Sequence, residues 1–194
     1  MKLVDLVTIR TGLVLSRKEA PPNKCQYTYH TISLRNITED GQVLVDEIEP
    51  FYASEPLKKD YFTRHNDILL RLSAPYSAVL ITDGDAGLLV PAHFAIIRTG
   101  NEIDPSFLHW WLTRNKKHFY QRSSGGTMMG TISSGYIAEM TIVLPSIDTQ
   151  RKASAFIKLA NKERQLLSLL EYQRCLLVNA TLEKMINEKG DAKS

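Results

Sequence analysis

From Ile147 to Glu188 the chain runs without a proline or a glycine. Proline stops a helix by removing a backbone donor and clashing with the preceding turn, and glycine weakens it through backbone entropy. Ser146 sits where its hydroxyl can cap the first free amides, and Asp148 places a negative charge at the positive end of the helix dipole. The run therefore predicts a single helix on the order of 60 Å long. The preceding part of the chain, as one domain, would have a radius of gyration of about 15 Å, so much of the helix is expected to project. Its apolar stripe is Phe156, Leu159, Leu166, Leu170, Leu177 and Ala180, with Glu163 and Gln173 interrupting it. The steps of three, four and seven residues keep a coiled-coil period. Such a seam calls for a partner helix. The alternative is a helix that folds back on its own domain, but nothing in the run breaks it to allow that. Residues 146–188 are thus expected to form a spacer or dimerisation helix, and 189–194 a disordered tail.

Before Pro145 the pattern is different. Tyr27–Leu34 is rich in aromatic and β-branched residues and reads as a strand. Val43–Val45 follows the turn Glu39-Asp40-Gly41 and reads as another, and Asp67–Leu72 as a third. Ala78–Ile81 and Leu88–Val90 flank Asp83-Gly84-Asp85, a plausible hairpin turn. Phe94–Arg98 is a short buried-type strand and Met140–Leu144 the last one. Between them Asp104-Pro105 opens a helix, with aspartate as cap and proline at the first position. Phe107, Leu108, Trp111 and Leu112 form its apolar stripe, and it is expected to end near Arg122. Residues 123–130 read as a Ser/Gly-rich loop. The fold class is α/β (α+β): a domain over residues 1–145 with a mixed, twisted β-sheet, followed by the long coiled-coil-forming helix.

Charge is divided unevenly. Residues 1–149 carry a net charge of −1 and residues 150–194 a net of +4. A nucleic-acid binder normally shows a basic footprint, so composition alone does not point there. No apolar run is long enough for a membrane helix, and Asp5 and Arg10 interrupt anything resembling a signal peptide, so a cytoplasmic protein is expected. Cys25 and Cys175 lie far apart, and the five histidines are scattered without metal-ligand spacing, which argues against a zinc site.

Three patterns suggest chemistry and fall short of it. Ser73-Ala74-Pro75-Tyr76 resembles the loop that holds the target amine in amino-methyltransferases, but alanine replaces its first proline and no Gly-rich cofactor turn precedes it. A turn after a strand is the plainer reading. Asp83 and Asp85 lack the following lysine of a nuclease site. Ser124-Gly125-Gly126-Thr127 is not a nucleotide-binding P-loop. It is either a flexible loop or one that orders on DNA phosphate.

The layout resembles the specificity subunits of type I restriction-modification systems over nearly the whole chain. Lys2–Gly12 looks like the start of their target-recognition domains. Asn66–Arg71 resembles their "gDiL" strand, and Ser123–Thr127 followed by Ile132-Ser133 their serine/glycine loop. Leu144–Arg151 resembles the "lPplxeQ" segment that leads into their spacer helix. Full subunits carry two such domains and two antiparallel spacer helices, so this chain looks like a half-subunit. The resemblance implies a non-catalytic reader of double-stranded DNA, directing its partners to a bipartite site. The partners are a DNA adenine methyltransferase subunit and a restriction subunit; S-adenosylmethionine, ATP and Mg²⁺ belong to them, with no cofactor here. A homodimer through the seam would read a palindromic, two-part site. The expected DNA contacts are Arg17, Lys18, Arg71, Tyr76, Lys116, Lys117, Ser123, Ser124, Thr127, Thr131 and Ser133. For the basic residues near the end of the first long helix, namely Arg114, Lys116, Lys117, His118 and Arg122, complementing the helix dipole is a competing role. For Arg17, Lys18 and Arg71 it is plain solvated charge. A protein-interaction adaptor without DNA specificity is the other reading of the whole chain.

Overall fold

The computed structural model describes residues 1–21, 23–38, 41–44, 48–123 and 130–191, the side chains of Ser123 and of 187–191 excepted. The chain divides into two compact units, Met1–Arg151 and Lys152–Ser194.

The first unit is built on a four-stranded sheet. Its strands are β1 (Val7–Thr11), β4 (Ile68–Arg71), β5 (Ala78–Leu80) and β6 (Phe94–Thr99), in the order β1-β6-β4-β5. Ile68, Leu69 and Leu70 are fully buried, as an unbroken apolar run in an inner strand requires. A two-stranded ribbon pairs β2 (Tyr27–Thr31) with β3 (Glu49–Ala53). The four ladders of these strands are all antiparallel, and parallel pairing enters at the isolated bridges Leu13↔Pro91 and Thr31↔Leu89. The main core gathers Ile32, Leu69, Val79, Ile81, Phe94 and Ile96. A smaller one of Phe51, Ala53 and Leu89 lies under the ribbon.

Several elements differ from the sequence expectation. Leu88–Val90 is no hairpin partner of β5, which pairs with β4. The Leu89 amide instead donates to the His30 carbonyl (2.7 Å) and its carbonyl accepts from Ile32 (3.0 Å), tying the segment to the end of β2. Asp83–Asp85 is accordingly a 3-10 turn, closed by the Thr82 hydroxyl on the Asp85 carboxylate (2.6 Å). Val43 makes a single bridge to Ile37 and no ladder; Val45 lies outside the described residues. Met140–Leu144 is reduced to one bridge, Thr141 to Lys2, flanked by hydrogen bonds from Leu3 to Met140 and from Ile142 to Met1 (both 2.9 Å).

The expected helix 105–122 is two helices, α1 (Pro105–Arg114) and α2 (Lys116–Ser123). Asp104 caps α1 through the Phe107 amide (3.0 Å). Asn115 ends it: its backbone amide and its side-chain amide both turn back on the carbonyl of Trp111. α1 packs on β5, and a short α3 (Ser134–Glu139) packs on β1.

α4 runs from Ile147 to Asp191. The Ser146 hydroxyl accepts from the Thr149 amide (3.3 Å), as the cap reading required. The helix continues through Lys189–Asp191, so the tail expected to be disordered begins in helix; 192–194 lie outside the described residues. Phe156, Leu159, Leu166, Leu170, Leu177 and Ala180 are all exposed. So are Leu169 and Leu176 on one flank of the stripe, and Leu167 and Val178 on the other. Among the described residues no helix is long and apolar enough to cross a membrane.

Candidate nucleic-acid interface

The register places one set of loops together. Thr11 pairs with Ala95, Arg71 with Phe94, and Leu70 with Ala78. The end of β1, the end of β4, the start of β5 and the start of β6 therefore share one end of the sheet. The loops that leave it carry Leu13–Lys18, Ser73–Ser77, Pro91–His93 and Thr131–Ser134. The Thr131 segment is stitched on by the bridge Ser73↔Thr131 and by the Ile132 amide on the Leu72 carbonyl (2.8 Å). Thr11 donates to the Ser134 hydroxyl (3.3 Å). Gly12 is obligatory here, because a Cβ would meet the Pro91 carbonyl oxygen at 2.2 Å.

The cations sort into two sets. Toward the other end of the sheet, Arg98 holds the buried Asp67 carboxylate through Nε (3.0 Å). Asp60 gathers Arg10 (2.8 Å), Arg64 (3.1 Å) and Arg98 (3.5 Å). The Arg10 guanidinium, followed by a hydrogen bond to it and by Arg64 and Arg98, holds the Asp60 carboxyl below its ordinary range against the opposing effect of burial. Lys2 is taken by Glu139. These charges are spent inside the protein. At the loop-bearing end, the side chains of Arg17 and Arg35 are exposed and make no hydrogen bond or ion pair with another described residue. Arg71 touches only a neutral partner, donating to the Ser73 hydroxyl (3.3 Å). Among the described residues, then, Arg17, Arg35 and Arg71 meet no carboxylate, whereas Lys18 on the same loop as Arg17 does.

α2 adjoins this end through Tyr76, whose ring lies 5.8 Å from Phe119 and 4.9 Å from Tyr120. Lys116 and Lys117 fall in the first turn of α2, since the helix breaks at Asn115. The dipole is unfavourable to cations there, at about 0.3–1 kcal/mol each. Dipole complementation therefore accounts for Arg114 and Arg122, each in a last turn, and fails for the two lysines. Arg122 also covers the Tyr136 ring at 5.7 Å.

Of the expected contacts, Arg17, Arg71, Thr131 and Ser133 come together on the loops at this end of the sheet, with Lys116 and Lys117 on the adjoining α2. The Ser133 hydroxyl oxygen is partly committed, capping α3 through the Tyr136 amide (3.1 Å). Lys18 is ion-paired with Glu55, whose carboxyl that contact pulls below its usual range. Tyr76 is a correction. It is fully buried among aromatic rings, and its hydroxyl donates to the Gly130 carbonyl, so it builds the turn and does not reach outward. The Ser73–Tyr76 segment is a turn, closed by the Tyr76 amide on the Ser73 carbonyl (3.0 Å), with a cis Ala74–Pro75 bond. Ser124, Thr127 and the Ser123 side chain lie outside the described residues.

Sequence reasoning missed Arg35, His93 and Glu49. All three line a groove of about 670 Å³ beside the rim, together with Leu13, Ser16 and Ser33. The available signal was an arginine in the turn Ser33-Leu34-Arg35-Asn36 directly after a strand. Among the described residues, no group of three His, Cys, Asp or Glu is placed to hold a metal ion.

The first unit thus gathers several loops at one end of its sheet, and the second unit is a long helix with an apolar stripe. The chain belongs to the type I restriction-modification DNA specificity domain family, whose model matches residues 1–171. No curated protein matches it. Among solved structures it is similar to an HsdS subunit from Thermoanaerobacter tengcongensis (TM-score 0.58, 14% identity, 84% of this chain and 37% of that one). It is similar to a chain from a structure of a type I restriction-modification system described for its complex assembly and conformational transition (0.60, 15%, 86% and 39%). A type I restriction-modification S subunit from M. genitalium is a further relative (0.54, 13%, 84% and 38%). The chain spans a little over a third of the length of these structures, and at such identity they show the fold.

Proposed function

We propose that this chain reads DNA sequence for a type I restriction-modification system and performs no chemistry itself. The observation that carries the reading is that, among the described residues, the exposed side chains of Arg17 and Arg35 on and beside the loops at one end of the sheet meet no carboxylate, while Arg10, Lys18, Arg64 and Arg98 are ion-paired. Arg17, Lys116 and Lys117 contact phosphate. Arg71, Thr131 and Ser133 reach toward the bases, and Ser123, Ser124 and Thr127 also contact the duplex. Residues 1–145 form the reading domain and 146–188 the spacer. The spacer seam pairs with the same helix of a second copy, which sets two reading domains a fixed distance apart on a bipartite site. A methyltransferase subunit using S-adenosylmethionine and a restriction subunit using ATP and Mg²⁺ supply the catalysis, in the cytoplasm.

Selection from random duplexes, run with the cognate methyltransferase present, tests this directly. A two-part motif is expected. Recovery of a stable protein complex with no enriched sequence would replace the proposal with the adaptor reading.

A further inference from the structure

We infer that Arg35 and Glu49 read one guanine–cytosine base pair, Arg35 taking the guanine and Glu49 the cytosine. The inference rests on the DNA-reading function above and names what that site recognises.

The two residues come from the same end of the β2–β3 ribbon. Glu49 opens β3 directly opposite Thr31, the last residue of β2, and Arg35 follows four residues later. Both side chains are exposed, and both line the groove beside the rim. Among the described residues neither side chain forms a hydrogen bond or ion pair, so the two opposite charges share a groove without contacting each other.

The backbone that presents them is fixed. Asn36 is fully buried. Its Oδ1 accepts from the Ser33 amide (2.7 Å) and hydroxyl (2.8 Å), and its Nδ2 donates to the Leu44 carbonyl (3.2 Å). The Leu44 amide returns to the Asn36 carbonyl (2.8 Å). Arg35 therefore leaves a turn locked on both sides. Thr31, the partner of Glu49, donates its hydroxyl to Leu89 (3.1 Å). The backbone that carries the guanidinium therefore needs no reordering when the side chain binds, and only the freedom of the side chain itself is lost.

The chemistry then selects the target. A carboxylate on a DNA-facing surface is repelled by phosphate, so Glu49 fits there only when aimed at a donor on a base edge. In the major groove cytosine N4 is such a donor, and guanine offers two adjacent acceptors, N7 and O6, that match the arginine fork. Adenine and thymine do not present two adjacent acceptors on one base. A two-stranded ribbon is also of a size the major groove admits.

The test is random-duplex selection on the full chain with its methyltransferase partner, comparing wild type with Arg35→Ala and Glu49→Ala. Both variants should lose the guanine–cytosine preference in the same motif column, by about 5-fold to about 150-fold, and leave the other columns intact. Glu49→Ala should in addition bind random duplex more tightly, having lost a repelled charge. Arg35→Met and Glu49→Gln guard against a folding defect: each roughly keeps the length of its side chain and loses its charge, and each should still relax that column. A wild-type motif retained by the variants, or two different columns relaxed, overturns the inference and leaves the DNA-reading function standing. A wild-type chain that enriches no motif overturns both.

Discussion

The Oε1 of Gln150 accepts a hydrogen bond from the backbone amide of Asp104 at 2.9 Å, joining the first turn of α4 to the cap of α1 across 46 residues of sequence. The Nε2 of the same side chain donates to the carbonyls of Pro145 (2.9 Å) and Glu102 (3.1 Å). Gln150 is fully buried, and each of its polar atoms has a backbone partner. This one amide ties the first turn of α4 to the rest of the first unit. Gln150→Ala leaves buried backbone groups unpaired and should destabilise the first unit by about 1–3 kcal/mol. Gln150→Glu should cost more, because a carboxylate would face two carbonyl oxygens. Urea denaturation of the three proteins checks the order; equal midpoints would remove the anchoring role.

The division between spent and unspent cations makes a prediction about salt. Each phosphate contact adds about 0.9 to the slope of log K against log salt for duplex DNA. Arg17→Ala, Lys116→Ala and Lys117→Ala should each lower that slope by about one without altering the motif. Arg64→Ala is the contrasting control: Arg64 is occupied by Asp60, and its loss should leave the slope unchanged. Titrations at several salt concentrations decide it, and a slope that falls equally in all four variants contradicts the sorting.

How much of this was legible beforehand follows from what each element depends on. α4 was legible because its signal is local and long: a serine cap and an unbroken run. α1 was legible at its start, through Asp104-Pro105, and misread at its end. Asn115 stops the helix by bonding back to Trp111, a side-chain choice that periodicity does not encode. Leu88–Val90 was read as a hairpin strand because the turn before it looked suitable. Its real partner is β2, nearly sixty residues upstream, and the competition between two partners is settled only in three dimensions. At the candidate interface, residue type points to Arg17, Arg71, Lys116 and Lys117 as proposed DNA contacts. What sequence could not separate was which cations meet a carboxylate: Lys18 meets Glu55 and Arg98 meets Asp67. Tyr76 was misassigned for the same reason, since an aromatic residue in a polar turn reads as exposed until its packing is seen.

The helix seam predicts self-association. Leu166 and Leu170 lie at its centre and are exposed. Replacing both by glutamate puts charges where two helices would otherwise bury leucine side chains, each worth about 1.5–3 kcal/mol. The wild-type chain should sediment as a dimer at micromolar concentration, and the double variant as a monomer with unchanged helix content by circular dichroism. A variant that remains dimeric would remove the seam from the assembly, and a monomeric wild type would remove the homodimer.

His109 gives the first unit a pH dependence whose sign can be worked out. Burial lowers its pKa from the ordinary value, the Ala78 carbonyl opposes this, and the nearby Lys116 charge adds to it. Its Nε2 lies 3.0 Å from that carbonyl, so the neutral ring with Nε2 protonated suits the site. A folded-state pKa below the unfolded one means that the stabilisation is fully present above the ordinary histidine range. It is then lost as pH falls through that range towards the folded value. Melting temperature should therefore drop as pH is lowered from about 7 to about 5, where histidines and not carboxylates titrate. His109→Gln retains an amide donor for Ala78 and carries no ionisable group, so its curve should be flatter over that interval. Any effect from the exposed His30, His93 and His118, and from His65 beside Asp83 (3.1 Å), persists in the variant, so the difference between the two curves isolates His109. Parallel curves would show that the ring takes up its proton equally well in the folded and unfolded chain.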